Sequence, residues 1–150
     1  MAKRLQANRT KASEPQYYTV NTDCPKSQKH MLEEHRAAAF FDPWKYEIDR
    51  IKKGDIVFLY ESGVGIIAVG KASGRIEVRP FRDGKRHERD GEHSMMLLDF
   101  RLVEPSITAK AISAISEYAE GTKVSMRGTV VRLRSGAGLR LFKLARIVEA

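Results

Sequence analysis

Two apolar runs on either side of a short turn are the strongest pattern in the sequence. Residues 55–60 read Asp-Ile-Val-Phe-Leu-Tyr, and residues 65–72 read Gly-Ile-Ile-Ala-Val-Gly-Lys-Ala. Short, nearly continuous apolar runs are typical of strands that are buried on both faces. Since the glycine-bearing turn Glu-Ser-Gly-Val joins them, the two runs predict a buried β-hairpin.

Weaker patterns around this hairpin predict further strands and a helix. β-branched and aromatic residues predict a first strand over 16–21, and polar helix formers predict a helix over 26–38 that ends before Asp42-Pro43. Further strands are predicted over 76–81 and 94–103. Strands therefore outnumber helices, and the helices stand singly among them.

The last third of the chain predicts a helix followed by a second hairpin. Ser106 follows Pro105 and predicts the N-cap of a helix over 107–118. The runs 123–133 and 139–148 then predict two strands around the sequence Ser-Gly-Ala-Gly. The apolar face expected for the helix consists of Ile107, Ala111, Ile115 and Tyr118.

Aromatic side chains cluster around Asp42-Pro43, shortly before the central hairpin; they are Phe40, Phe41, Trp44 and Tyr46. An aromatic loop beside a buried hairpin suggests a barrel with a pocket for a flat ligand. A nucleobase is the obvious candidate, because every base presents a π-face for stacking. The alternative is that Trp44 closes one end of the barrel as part of the core.

The composition is that of one basic globular domain. The chain has 150 residues, a formal net charge of +8 and a pI of about 9.7, so we expect a polyanionic partner. The single Cys24 forms no internal disulfide and no apolar run is long enough to cross a membrane, so we expect a cytoplasmic protein. Residues 1–15 predict a flexible basic arm, and residues 16–150 predict one domain.

At the central hairpin the chain resembles the EVE domain of the PUA-like superfamily, whose relatives include the YTH domain. The resemblance rests on Lys53-Gly54-Asp55 leading into a strand that ends at Tyr60, followed by the glycine spacing of residues 65–71. The order of the predicted elements extends it over residues 16–149. It implies an α+β fold, a small PUA-like mixed β-barrel with peripheral helices, that binds nucleic acid.

The resemblance also implies a pocket for a modified base. In this family the pocket is lined by aromatic residues and by residues near the end of the first strand. The matching positions in this chain are Asn21, Thr22, Trp44 and Tyr60. An aromatic cage adds contact to an N-methyl group, and a cationic methylated base also gains cation–π attraction.

Basic side chains concentrate in the predicted C-terminal hairpin. Arg132 and Arg134 are two residues apart and share a strand face, and Arg140 lies across the turn. Three guanidiniums near one hairpin tip predict a clamp for the phosphate backbone, to which Lys143 adds a further cation. A solvated strand face is the alternative.

Other motifs indicate no catalytic, metal or cofactor site. Residues 65–71 match the Gly-x-x-x-x-Gly-Lys part of a P-loop, but Ala72 stands where the motif needs Ser or Thr, and the interior is strand sequence. The histidines match no zinc-ligand spacing, and no Ser-His-Asp pattern or catalytic carboxylate pair stands out. We therefore expect no cofactor and no metal.

The sequence thus predicts a non-catalytic module that binds DNA or RNA. A modified or flipped base would enter the aromatic pocket, and the basic surface would hold the backbone. Two alternatives stay open: a PUA-like nuclease or RNA-modifying enzyme, and a basic barrel that binds protein. The residues do not indicate an oligomeric state.

Overall fold

A six-stranded mixed sheet forms the body of the protein. The computed structural model describes residues 14–22, 25–39, 44–79, 92–126 and 128–148. Within these ranges the strands, in chain order, are β1 (Tyr17–Asn21), β2 (Arg36–Ala39), β3 (Ile56–Glu61), β4 (Gly65–Arg79), β5 (Glu92–Ile107) and β6 (Val130–Leu133). The helices are α1 (Pro25–Glu34), a 3₁₀ helix (Trp44–Arg50), α2 (Ala109–Glu120) and α3 (Ser135–Val148).

The sheet has the strand order β2-β5-β4-β3-β1-β6 and curls into a half-barrel. Strands β1 and β3 are parallel, and the other neighbouring pairs are antiparallel. Helices lie around the sheet, which confirms the predicted α+β, PUA-like architecture. None of the helices in the described ranges combines the length and apolar character that a membrane span needs.

The central hairpin is confirmed as β3 and β4, and β3 is buried on both faces. The Asp55 carboxylate, itself buried, ties the start of this hairpin to β1. It accepts hydrogen bonds from the backbone N–H of Gln16 at 3.0 Å and of Lys52 at 2.8 Å. The Lys-Lys-Gly-Asp sequence therefore joins the two parallel strands at their beginning.

Two apolar cores lie on opposite faces of the sheet, because successive residues of a strand point to opposite sides. Tyr18 and Leu59 belong to the first core, together with Ile48 of the 3₁₀ helix. Tyr17 and Phe58, their strand neighbours, belong to the second core, which α2 and α3 cover.

The predicted helix over 26–38 is wrong over residues 35–38. It ends at Glu34, His35 takes a left-handed φ of 57°, and residues 36–39 form β2 at the edge of the sheet. Arg36 is held there by Glu34 at 3.4 Å and by Glu77 at 2.6 Å. Pairing with β5 and burial of the three alanines in the first core outweigh their helix propensity.

The predicted second hairpin is also wrong. Residues 135–148 form helix α3, and within the described part of 123–133 the strand is limited to β6. Ala137, Leu141 and Ala145 recur at helical spacing and are fully packed in the second core. The Glu120 carboxylate accepts a hydrogen bond from the Ala137 N–H at 2.9 Å, at the helix start where a negative charge is favourable.

Two boundaries differ from those predicted. The runs 65–72 and 76–81 belong to one long strand as far as Arg79, and β5 continues through Pro105 to Ile107. Thr108, not Ser106, caps α2, because its hydroxyl accepts from the Ala111 N–H at 3.2 Å. The helix buries Ile112, whereas Tyr118 is 81% exposed.

Several predictions lie outside the described residues. These are the basic arm as far as residue 13, Cys24, the aromatic pair Phe40 and Phe41, and residues 80–91.

Candidate functional site

Three of the predicted pocket residues meet where β1 and β3 end. Asn21 pairs with Tyr60 in the strand register, and the Thr22 N–H donates to the Tyr60 carbonyl at 2.8 Å. The Thr22 hydroxyl donates to the same carbonyl at 3.1 Å and accepts from Gln28 Nε2 at 2.9 Å. Thr22 is 1% exposed and the Tyr60 ring is 6% exposed within the second core, so both side chains pack inside the protein.

Trp44, the fourth predicted residue, begins the 3₁₀ helix, but its side chain lies outside the described structure. The 3₁₀ helix packs on the sheet through Ile48 in the first core. The Tyr60 ring lies in the second core. The structure therefore places this helix and the Tyr60 ring on opposite faces of the sheet.

The 3₁₀ helix meets β1 and β6 at a cavity of about 190 Å³. Arg132, a predicted backbone-binding residue, lines it and lies opposite Tyr18 in the strand register. The cavity residues are Tyr18, Glu47, Arg50, Val130 and Arg132. The arrangement combines a phenol, a carboxylate and two guanidiniums around one opening.

Burial and neighbouring charges both act on the Tyr18 phenol. Burial raises the pKa of its phenol above 10.0, and the negative charge of Asp55 raises the pKa further. The guanidiniums of Arg132 and Arg50 act in the opposite direction and lower the pKa. The net shift is upward, so Tyr18 presents a protonated hydroxyl, which can donate a hydrogen bond beside two cations.

The other predicted backbone-binding residues lie elsewhere. Arg134 is exposed between β6 and α3, and Arg140 and Lys143 are exposed on α3. The Arg140 guanidinium lies 5.3 Å from the ring centroid of the exposed Tyr118. Because α3 replaces the predicted hairpin, the tip at which three guanidiniums were expected to converge is not formed.

A second polar cluster lies beside β2. His93 Nδ1 is 3.0 Å from the Asp49 carboxylate, and the Tyr46 ring meets the imidazole edge-on at 4.9 Å. A carboxylate that orients an imidazole is the arrangement of a general base, so this pair bears on the enzymatic alternative. Among the described residues, no three His, Cys, Asp or Glu side chains converge as a metal site would need.

Sequence reasoning did not find Tyr18, Glu47 or Arg50. The alternation of Tyr17 and Tyr18 on a short strand was the available signal, since it sends one of the two rings to each face. The approach of the 3₁₀ helix to β6 has no local signature, because the two segments are distant in sequence.

No protein-family model and no curated protein matches the sequence. Solved structures share its fold. Protein PSPTO5229 from Pseudomonas syringae superposes with a TM-score of 0.58 at 13% identity, over 86% of this chain and 99% of that chain. A hypothetical protein from Leishmania major gives a TM-score of 0.60 at 9% identity, over 91% of this chain and 98% of that chain.

A third solved structure is the Mmi1 YTH domain in complex with RNA. It superposes with a TM-score of 0.60 at 11% identity, over 90% of this chain and 80% of that chain. Identities this low establish the fold alone. The chain therefore has the fold of a YTH domain, in agreement with the resemblance to PUA-like proteins.

Proposed function

We propose that the protein is a nucleic-acid-binding module that takes one base into the cavity between β1, β6 and the 3₁₀ helix. The observation on which the proposal rests is that Arg50 and Arg132 flank the buried Tyr18 phenol at an opening of about 190 Å³. Pockets for drug-sized ligands are about 300–1,000 Å³, so this one suits a single base rather than a larger molecule.

The groups around the cavity match the chemistry of a base and its phosphate. The Tyr18 hydroxyl is a donor for a ring nitrogen or carbonyl, and the Glu47 carboxylate is an acceptor for an exocyclic amino group. Guanidiniums form paired hydrogen bonds with phosphate oxygens. Arg50 and Arg132 would therefore hold the phosphate next to the inserted base.

The rest of the backbone would cross the sheet edge toward α3. Strand β6 is an edge strand, so a nucleic-acid chain passing over it reaches both faces. Residues 135–148 contain no Asp or Glu, and Arg134, Arg140 and Lys143 are exposed there. We propose that these three cations hold phosphates and that Tyr118 supplies a ring for stacking beside Arg140.

Recognition of a modified base is the finer part of the proposal. Trp44 begins the 3₁₀ helix that contributes Glu47 and Arg50, and we propose that its indole stacks on the base. Asn21, Thr22 and Tyr60 remain in the proposal for the support that they give to the ends of β1 and β3, and the Tyr60 ring itself packs on the opposite face of the sheet from this pocket. Membership of the EVE family and a cytoplasmic location belong to the same proposal.

The fold supports RNA as the first ligand to test, because the Mmi1 YTH domain that shares it was solved in complex with RNA. DNA of the same sequence is the comparison.

Binding of labelled RNA, with and without an N-methylated adenine, tests the proposal by fluorescence anisotropy. Arg132→Ala should weaken the binding of both RNAs about tenfold, the usual effect of losing one charged hydrogen bond. Trp44→Ala should remove the preference for the methylated RNA, since stacking on one ring contributes roughly 1–3 kcal/mol. Lys29→Ala, at an exposed lysine on α1 that does not line the cavity, is the matched control and should bind normally.

Three outcomes would contradict parts of this proposal. Normal RNA binding by Arg132→Ala would show that the cavity is not part of the binding site. An equal loss for both RNAs in Trp44→Ala would contradict recognition of a modified base by Trp44. Cleavage of the RNA during incubation, abolished by His93→Gln, would move the function to the enzymatic alternative.

A further inference from the structure

A β-bulge interrupts the pairing of β4 and β5. Val69 pairs with Arg101 and Lys71 pairs with Leu98, so β5 has one residue more than β4 between these pairs. Asp99, within the bulge, has a left-handed φ of 51°. Bulges of this kind redirect side chains and are frequent beside functional sites.

The bulge opens a cleft of about 500 Å³ between the sheet and α3. Its walls contain the cations Lys71, Arg101 and Arg146 and one carboxylate, Asp99; Val69, Gly70, Phe100 and Phe142 complete the lining. Gly70 is itself buried, and a Cβ there would meet Leu97 at 2.8 Å, so β4 and β5 approach each other closely beside the bulge. The cleft is therefore positively charged and within the size range of small-molecule sites.

An aromatic ring and a guanidinium form one wall of this cleft. The Arg146 guanidinium lies 5.6 Å from the ring centroid of Phe142, which is half-buried in the second core. Such a pair presents a flat cationic surface on which an aromatic base can stack. Across the cleft, the Lys71 ammonium is 3.9 Å from the Asp99 carboxylate.

The Lys71–Asp99 pair leaves Lys71 able to exchange partners. Both side chains are largely exposed, at 46% and 78%, and a pair of this kind contributes little net energy. A phosphate carries more negative charge than the carboxylate and can accept from Lys71 and Arg146 together. Lys71 is therefore placed to bind an incoming phosphate instead of Asp99.

We infer that this cleft is a second binding site, for a nucleotide, with the phosphate held by Lys71 and Arg146 and the base stacked against the wall of Arg146 and Phe142. Val69 and Phe142 belong to the second core, whereas Tyr18 and Val130 of the first cavity contact the first core. The α3 wall of the cleft therefore lies on the opposite face of the sheet from the Tyr18 cavity, whereas Phe100 at the bulge packs against the first core. The nucleotide comes either from solution or from a nucleic-acid strand, and its chemistry is the same in both cases.

Calorimetric titration with AMP and with adenosine tests the site. The full chain should bind AMP at least tenfold more tightly than adenosine, and the double variant Lys71→Glu/Arg146→Glu should lose that difference. Lys29→Glu, with the same charge change per residue at an exposed position on α1, should keep it. Asp99→Asn should tighten AMP binding by roughly two- to fivefold, because it removes a repulsive charge and Asn tolerates the left-handed conformation.

Arg132→Ala separates this site from the proposed base pocket. An advantage of AMP over adenosine that persists in Arg132→Ala and is lost in Lys71→Glu/Arg146→Glu supports the cleft whether or not the pocket exists. AMP binding that is lost in Arg132→Ala and unchanged in the double variant overturns it. Failure of Asp99→Asn to tighten binding would also overturn it, even if the double variant folded poorly.

A competing oligouridylate identifies the source of the nucleotide. Displacement of AMP from the cleft means that the nucleotide belongs to a strand, and no displacement means that the site takes the free nucleotide. Either result supports the site, whereas binding of neither AMP nor oligouridylate at the cleft overturns it.

Discussion

At the scale of single residues, the neighbours Tyr17 and Tyr18 have the same chemistry and opposite surroundings. The Tyr17 ring packs against Gly138 of α3 in the second core, and Tyr18 lies on the other face, between the first core and the Arg50–Arg132 cavity. Strand alternation produces this division. One tyrosine therefore stabilises the docking of a helix, and the other supplies a hydroxyl to the proposed base pocket.

The raised pKa of Tyr18 predicts a pH dependence of stability. Burial raises the pKa above 10.0, so the folded protein keeps a phenolic proton that the unfolded chain releases. Its contribution is complete below the unfolded value and is lost as the pH rises through the folded one. We expect the free energy of unfolding to fall as the pH rises above 10.0, and less steeply in Tyr18→Phe.

Urea unfolding at a series of pH values on both sides of 10.0 measures this slope. Burial also raises the pKa of Tyr17, so the single variant should keep part of the slope and Tyr17→Phe/Tyr18→Phe should keep less. A slope in Tyr18→Phe equal to that of the parent protein would show that the phenol does not titrate differently in the folded state.

At the scale of elements, α3 shows how glycines that suggest a turn can belong to a helix. Gly138 is buried, and a Cβ at this position would overlap the Tyr17 ring. The helix can approach β1 closely because there is no side chain between them. A Cβ at Gly136 would instead meet the Glu120 carboxylate, which is the end of a flexible side chain.

The two glycines therefore predict different responses to alanine. Gly138→Ala gains helix propensity of about 1 kcal/mol but should still destabilise the protein, by roughly 1–3 kcal/mol, because Tyr17 cannot move aside in a packed core. Gly136→Ala should lose less, because Glu120 can rotate away and the loss is limited to its hydrogen bond with the Ala137 N–H, about 1 kcal/mol. Thermal or urea unfolding compares them, and equal stabilities would mean that α3 does not pack as tightly on β1 as described.

At the scale of the whole molecule, cations of the described residues line two separate surfaces. Arg50 and Arg132 flank the cavity at one face, and Lys71 and Arg146 line the cleft at the other. The exposed cations of residues 134–143 lie at the edge between them. A nucleic-acid strand that contacts this edge should release counterions in proportion to the phosphates that it brings there.

The salt dependence of binding measures the edge contribution directly. Replacing Arg134, Arg140 and Lys143 by Ala should reduce the slope of log affinity against log salt by roughly 2, at about 0.7 per phosphate of a single strand. Lys29→Ala should leave the slope unchanged. A triple variant with the parent slope would place the backbone path away from α3.

Much of the fold follows from local sequence. The run from Ile56 to Tyr60 is short, apolar and bounded by turn signals, which favours a strand buried on both faces, and the sheet places it there as β3. Asp55 and Gly54 mark its beginning, as the resemblance to PUA-like domains predicted. By contrast, residues 36–39 became a strand only through pairing with β5, which a helix-forming sequence does not indicate.

The candidate site, like the fold, could be predicted from the sequence only in part. The excess of cations and the basic character of residues 132–143 are properties of composition, and they were sufficient to predict a polyanionic partner. Which cations share a surface depends on how α3 and β6 pack on distant strands. Arg132 lies opposite Tyr18, and Arg140 lies over Tyr118. The sequence could not predict either pairing, because short-range periodicity specifies only the elements and their buried faces. How those elements dock depends on contacts between segments that are far apart in the chain.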